Sequence, residues 1–215
     1  MKAWRAKYAV AAIYIGGQEM GCDYGNLSKS WVQAAEGTGW SLMPTFVGLQ
    51  APCNSFSAEI NPKQAAAQGQ ASANQAMADA AQFGLAKGTP IYFDMEAYNE
   101  NNASCVTAVL TFLDAWTRQL ASQGYVSGVY SSAASGITDL QTTTTVAGHA
   151  LAEPQAIWFA LWDNAVNLTG SPYMSPAIWP TASRSKQYAG AKVVSVGGYS
   201  IDIDSDLVAS AVAHG

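Results

Sequence analysis

The run Ile91-Tyr92-Phe93-Asp94-Met95-Glu96-Ala97-Tyr98 decides how the rest of the chain is read. Its apolar body predicts a strand. Successive strand side chains point to opposite faces, so Asp94 and Glu96 share one face with Tyr92 and Tyr98, with Cα atoms roughly 6.6 Å apart. Two acids on so hydrophobic a segment need a reason, because burying charge costs several kcal/mol unless it is paired or neutralised. One reason is a strand-end ion pair or a helix cap. The other is a general acid with an electrostatic helper.

Outward from that run, further apolar, turn-bounded stretches predict strands at Tyr8 to Gly17, Ser41 to Gln50, Thr89 to Tyr98, Tyr125 to Ser132, Ala156 to Asp163, Ser185 to Ala189 and Gly198 to Asp204. The first four are Val/Ile/Tyr/Phe-rich and fit parallel strands covered on both faces. Helices fall between them: Leu27 to Glu36 behind Asn26, Pro62 to Phe83 entered through Asn61-Pro62, and Cys105 to Gln123 behind Ser104 and stopped by Gly124. Strand and helix in alternation is the pattern of an α/β fold. Seven strands in series predict a (β/α)8 TIM-type barrel in a single domain over residues 1–215, one strand short of eight. The segment Met1 to Ala6 reads as a short helix feeding straight into the Tyr8 strand, as if the first strand were absent from this chain. A barrel lacking a strand has two open edges. The dinucleotide fold is disfavoured, because Gly37-Thr38-Gly39 is followed by Leu42 where a third glycine belongs and precedes a strand.

Composition supports one domain with a large core: 215 residues, 49% hydrophobic and 12% charged. A net charge of −5 without a basic patch argues against nucleic acid as a partner. No apolar run reaches the ~18 residues of a membrane span, and the start lacks a signal-peptide core. Cys22, Cys53 and Cys105 fall in predicted loops, which favours disulfides and an exported protein.

In barrels of this kind, chemistry sits at the carboxyl ends of the strands. Asp94 and Glu96 lie at such an end. On the last strand Asp202 and Asp204 share a face, while Ser205 or Asp206 is expected to cap a short helix from Leu207 to Ala213. A calcium-loop reading of Asp202, Asp204 and Asp206 fails, since Leu207 stands at the glycine position and Ala213 at the bidentate acid. Tyr14, Phe46, Tyr98, Tyr130, Trp158, Trp162 and Tyr188 cluster at strand ends. Trp162-Asp163-Asn164 and Tyr98-Asn99 pair an amphipathic ring with polar groups, a surface suited to stacking on sugars. Histidine chemistry is poorly supplied, with only His149 and His214, and no metal motif occurs. Carboxylates with aromatics are the equipment of glycoside hydrolysis.

The segments Tyr14-Ile15-Gly16-Gly17, Pro44-Thr45-Phe46-Val47-Gly48-Leu49-Gln50, Phe93-Asp94-Met95-Glu96-Ala97-Tyr98, Gly128-Val129-Tyr130-Ser131-Ser132 and Ile201-Asp202-Ile203-Asp204 resemble, in order and spacing, the glycoside-hydrolase-like domain of exported actinobacterial proteins, a barrel related to family 25 lysozymes. The resemblance implies a secreted or cell-wall-associated hydrolase of peptidoglycan or a related glycan, working without metal or organic cofactor. It places Glu96 as general acid and Asp94 as the carboxylate that orients the sugar's N-acetyl group. Tyr14, Tyr98, Tyr130, Trp162, Asp202 and Asp204 become the substrate-binding set. It also implies a Cys53–Cys105 disulfide, and sets Cys22 next to a cysteine in the loop after a first strand that has no counterpart here. That strand's Gly-Phe-Asp-type acid is missing too. Two other readings stay open: a carbohydrate- or cell-wall-binding module without catalysis, and a structural domain whose acids only cap helices and form ion pairs.

Overall fold

The computed structural model describes residues 1–21, 25 and 27–213, so Cys22, Asn26 and His214 lie outside the described residues. After α1 (Lys2–Arg5) come β1 (Val10–Gly16), α2 (Lys29–Gly37), β2 (Ser41–Phe46), α3 (Ala65–Gln82), β3 (Pro90–Asp94), α4 (Ala103–Ser122) and β4 (Val126–Ser132). A single π-turn (Ala133–Ile137) leads to α5 (Thr138–Thr142) and a small hairpin of β5 (Thr145–Val146) and β6 (His149–Ala150). The chain finishes with β7 (Ala156–Ala160), β8 (Arg184–Val196) and β9 (Tyr199–Val208).

Seven strands form one sheet in the order β1-β2-β3-β4-β7-β8-β9, parallel throughout except for the antiparallel β8–β9 pair. It is a nearly closed barrel lacking one strand, with β1 and β9 at its edges. Register explains how two cores arise from one sheet. Tyr14 pairs with Thr45, Thr45 with Tyr92, Asp94 with Tyr130, Tyr130 with Trp158 and Ala160 with Gln187, so these residues share the inner face. Met43, Tyr92, Tyr130, Ala156 and Trp158 fill the barrel. The alternate residues, among them Ile15, Leu42, Ile91, Phe93, Val129 and Phe159, join the larger core beneath the helices. There the alanine-rich α3 lies so close to α4 that a Cβ on Gly69 would sit 2.2 Å from the Phe112 carbonyl oxygen. Small residues on that face permit the approach, which explains a helix made largely of Ala and Gln.

Helix entries differ from expectation by a few residues. Ser28 caps α2 by accepting from the Trp31 N–H, so the helix begins at Lys29 rather than Leu27, and Asn102, not Ser104, caps α4 through the Cys105 N–H. Ser104 instead donates to the Asn102 side chain. Helix α3 begins at Ala65 rather than Pro62, because the Asn61 side chain accepts from the Lys63 N–H and holds a turn first.

The largest departure is at the C-terminus. No helix spans Leu207 to Ala213; β9 continues to Val208, and Asp206 caps nothing. Val208 and Val212 pack into the barrel, the Tyr92 hydroxyl meets Ser210 Oγ and donates to the Ala211 carbonyl, and Ala213 bridges to Leu42. The tail thus closes the amino end of the barrel, where apolar burial favours an extended path over a short helix. β8 and β9 are also longer than the sequence suggested, joined through Gly197 and Gly198, both at positive φ, which suits a tight two-residue hairpin turn. A bulge around Ala189 to Ala191 bends the hairpin. Beyond it Val194, Val196 and Ile203 pack against the main core, and Gly197 lies against Ala3 of α1. The hairpin tip is therefore carried to the β1 side of the gap.

Candidate active site at the carboxyl mouth

Strand β3 ends at Asp94, whose side chain faces the barrel interior beside Tyr130. Asp94 is only 6% exposed and its Oδ1 has no hydrogen-bond partner. Burial, reinforced by the charge of Glu96, pushes its pKa up to about 8. The Met95 N–H donates to the Tyr130 carbonyl, and then the chain leaves the strand. At that exit the buried Gln50 fastens it: Nε2 donates to the Asp94 carbonyl at 2.8 Å and Oε1 accepts the Glu96 N–H at 2.9 Å. One amide from the loop after β2 thereby sets the height at which Glu96 projects. Glu96 is half-buried, and its pKa is raised by burial and by Asp204 against a lowering bond from the Ala97 backbone.

Glu96 lines a cavity of about 360 Å³ together with Tyr130, Ser132, Leu161, Trp162 and Tyr173. A second amide organises the opposite wall. Gln187 Oε1 accepts from the Tyr130 hydroxyl at 3.0 Å and from Trp162 Nε1 at 2.8 Å, while its Nε2 donates to Asp204 at 3.0 Å. Asp204 also accepts the Ala191 N–H inside the bulge, and Trp158 Nε1 donates to Asp206 at 2.7 Å. Trp162 is 61% exposed yet fixed, its ring resting where a Cβ on Gly190 would be 2.3 Å away. The turn that carries it is anchored by the fully buried Lys186, which donates to both Asp163 carboxylate oxygens at 2.8 Å. Opposite, Tyr173 is 40% exposed on a loop whose carbonyls at Ser175, Pro176, Ile178 and Trp179 converge on the Arg184 guanidinium.

Asp94, Glu96, Tyr130, Trp162 and Asp204 are therefore gathered at one mouth. Tyr98 is not among them: it is buried and donates to Asp139 at 2.7 Å, because the chain has left the strand before it and the alternation no longer applies. Asp202 pairs opposite Val193 beyond the bulge, exposed and away from the cavity lining. Tyr14 stands on edge strand β1, 44% exposed, and does not line the cavity either. Sequence reading missed Gln50, Gln187 and Tyr173, and took Asp206 for a helix cap. The Gly-Gly turn between alternating apolar residues was a signal for the hairpin, and with it for Asp206 on a strand; a lone glutamine carries no comparable sign. Cys53 and Cys105 form a disulfide that ties the loop after β2 to the first turn of α4. Among the described residues no group of three His, Cys, Asp or Glu is placed to hold a metal ion, and no helix is long and apolar enough to cross a membrane.

The family model of the Rv2525c-like, glycoside hydrolase-like domain matches residues 2–208. No curated protein matches the chain in sequence. Among solved structures it is similar to the Tat-secreted protein Rv2525c of Mycobacterium tuberculosis, solved with L-tartrate, at 17% identity and TM-score 0.62 over 96% of this chain and 88% of that one. The modular autolysin LytC of Streptococcus pneumoniae, solved with a synthetic peptidoglycan ligand, aligns at 16% identity and TM-score 0.57, over 95% of this chain and 42% of LytC. The catalytic domain of endolysin ply40 from a Listeria monocytogenes bacteriophage aligns at 14% identity and TM-score 0.52, over 95% and 84%. At such identities the likeness is one of fold.

Proposed function

The chain belongs to the Rv2525c-like, glycoside hydrolase-like domain family, and from that premise and the form of the mouth we propose that it hydrolyses a cell-wall glycan of the peptidoglycan class, with Glu96 as general acid. The observation that carries the reading is the placement of Glu96. Of the Asp94 and Glu96 pair it is the one that lines the cavity, at the carboxyl end of a barrel strand, with Tyr130 and the fixed ring of Trp162 among its neighbours. The fold is shared with peptidoglycan-lytic proteins. The Cys53–Cys105 disulfide and the likeness to a Tat-secreted protein support an extracellular setting.

Cleavage of a glycosidic bond requires a proton for the leaving oxygen and a group that supports the positive charge developing on the sugar. Glu96 supplies the proton. Asp94, held behind it by the same Gln50 clamp, orients the N-acetyl group of the sugar on its side of the bond. Burial and Asp204 raise Glu96, which keeps a proton available above the ordinary carboxylate range. Asp94 is pushed up to about 8 by its burial and by the charge of Glu96, so at neutral pH it keeps its own proton beside Glu96. Hydrolysis is thus expected on the acid side of neutrality, falling as pH rises through the Glu96 pKa.

Asp94 itself does not line the cavity, an observation that favours a second reading, a glycan-binding domain that breaks no bond. Release of reducing ends from purified peptidoglycan separates the two. Glu96→Gln should abolish release while leaving cell-wall binding largely intact; wall binding without release by the unmodified chain, at every pH from about 4 to about 8, would leave only the binding domain.

A further inference from the structure

Among the described residues, the mouth gathers four carboxyl groups with no cation to answer them. Asp94 pairs across the barrel with Tyr130, Glu96 lines the cavity beside that ring, Gln187 links the ring's hydroxyl to Asp204, and Trp158 holds Asp206. Burial first, and then the charges of all four carboxyl groups, raise the pKa of the Tyr130 hydroxyl. The ion pairs among the described residues are Arg118 and His149 with Asp114, and Lys186 with Asp163, none of them in this mouth. No Lys, Arg or His lines the cavity. Asp94 adds a separate sign of an unmet partner, a buried carboxyl oxygen at this site without a hydrogen bond.

Evolved proteins do not leave like charges together without use or compensation, since each raises the cost of ionising the next. The compensating charge is not a bare ion, because among the described residues the acids are not grouped as a metal site, and Glu96 opens onto a cavity of about 360 Å³ whose Trp162 wall is tied to Asp204 through Gln187. It must be carried on something with the bulk of a sugar ring and an apolar face for the exposed, immobilised Trp162. An aromatic wall also favours a cation, through the ring quadrupole.

We infer that the mouth takes a glycan bearing unacetylated amino groups, the ammonium of one hexosamine resting between Asp204, Asp206 and Glu96 while its ring stacks on Trp162. This deepens the proposed function and rests on it. The ammonium belongs to the sugar on the Trp162 side of Glu96, and the N-acetyl group that Asp94 orients belongs to its neighbour across the bond. Sugars carrying carboxylates on the Trp162 side are repelled by the same acids.

Isothermal titration of the full, disulfide-intact chain with a glucosamine tetrasaccharide and its fully N-acetylated counterpart of the same linkage tests this. It is done at about pH 6, where an amine is protonated; Asp206, which burial holds up to about 7, gives up its proton as the ammonium pairs with it. The free-amine oligomer should bind at least about tenfold tighter, with the advantage shrinking as salt rises from about 0.01 M to about 0.5 M. Asp204→Asn and, separately, Asp206→Asn should each remove most of the preference. Both side chains reach solvent, and unchanged thermal unfolding verifies that the variants fold. Equal or tighter binding of the acetylated oligomer overturns the inference and leaves the glycan reading standing. A free-amine preference indifferent to both variants also overturns it, by placing the ammonium elsewhere. Failure of both oligomers to bind sinks the inference and the glycan-binding premise together.

Discussion

Replacing Gln50 by methionine keeps nearly the same volume while deleting every hydrogen bond its amide makes. The Glu96 N–H loses its acceptor, and the carbonyls of Asp94 and Gly48 each lose a donor, at 2.8 and 3.2 Å. Gln50 is fully buried, so water does not replace these partners at no cost. A stranded N–H costs about 1–3 kcal/mol and each lost carbonyl bond about 0.5–1 kcal/mol, giving about 3 kcal/mol in all. The cavity contribution is small because the methionine stem fills the space. Unfolding entropy for a chain of this length is about 0.45 kcal/mol/K, so calorimetry should show Tm falling by about 7 °C. The mouth should suffer as well, since the clamp sets the position of Glu96, and glycan binding at a temperature where the variant is fully folded should weaken. A Tm drop below about 2 °C, matching that of an exposed control such as Thr107→Met, would refute the idea that this amide holds the acidic segment.

The buried proton on Asp94 makes stability depend on pH. The unfolded chain releases that proton near 3.8 and the folded chain only near 8, so between these values the folded state binds more protons and stability falls as pH rises. Asp94→Asn should remove that slope, so its Tm advantage over the unmodified chain grows from about pH 4 to about pH 8; a constant difference across the range would show that Asp94 does not hold the proton. Reducing the Cys53–Cys105 bond reopens a loop with a separation of 52 residues, for which chain entropy implies about 4 kcal/mol; unfolding scans with and without reductant should differ by about 9 °C, and coincident scans with both thiols titratable would contradict this. Gly190→Ala drives a Cβ into the Trp162 ring, so the indole must leave Gln187; glycan affinity should drop as far as in Trp162→Ala, and an unchanged affinity would remove Trp162 from the binding surface.

Much of the barrel was legible because its signals are local. An apolar run that ends in turn residues identifies β3 wherever it lies in space, and the alternation of such runs with helical segments names the fold class. The Asp94 and Glu96 pair was visible for the same reason, two acids at the end of a hydrophobic strand. Boundaries were less legible where side chains compete for the same backbone, as at Asn102 and Ser104 before α4, where the serine hydroxyl donates to the residue that caps. Tyr98 shows the limit of periodicity: counting by two beyond Asp94 assumes a strand that has already ended, and the ring turns to Asp139.

By itself the sequence determined the strand and helix alternation, the missing eighth strand and the acidic end of β3, since each follows from hydrophobic period and residue type within a few positions. Only the tertiary structure decided that Asp204 and Asp206 reach the mouth while Asp202 does not, because Asp202 lies beyond the bulge in β8 that bends the hairpin. Only it made Gln50 and Gln187 the clamps of the site, joining β3 to the loop after β2 and β9 to Trp162. The location of the proton on Asp94 was decided there too. An amide becomes a clamp, and a carboxyl keeps its proton, through what packs around it from strands far apart in the chain, and burial of that kind has no local period to read.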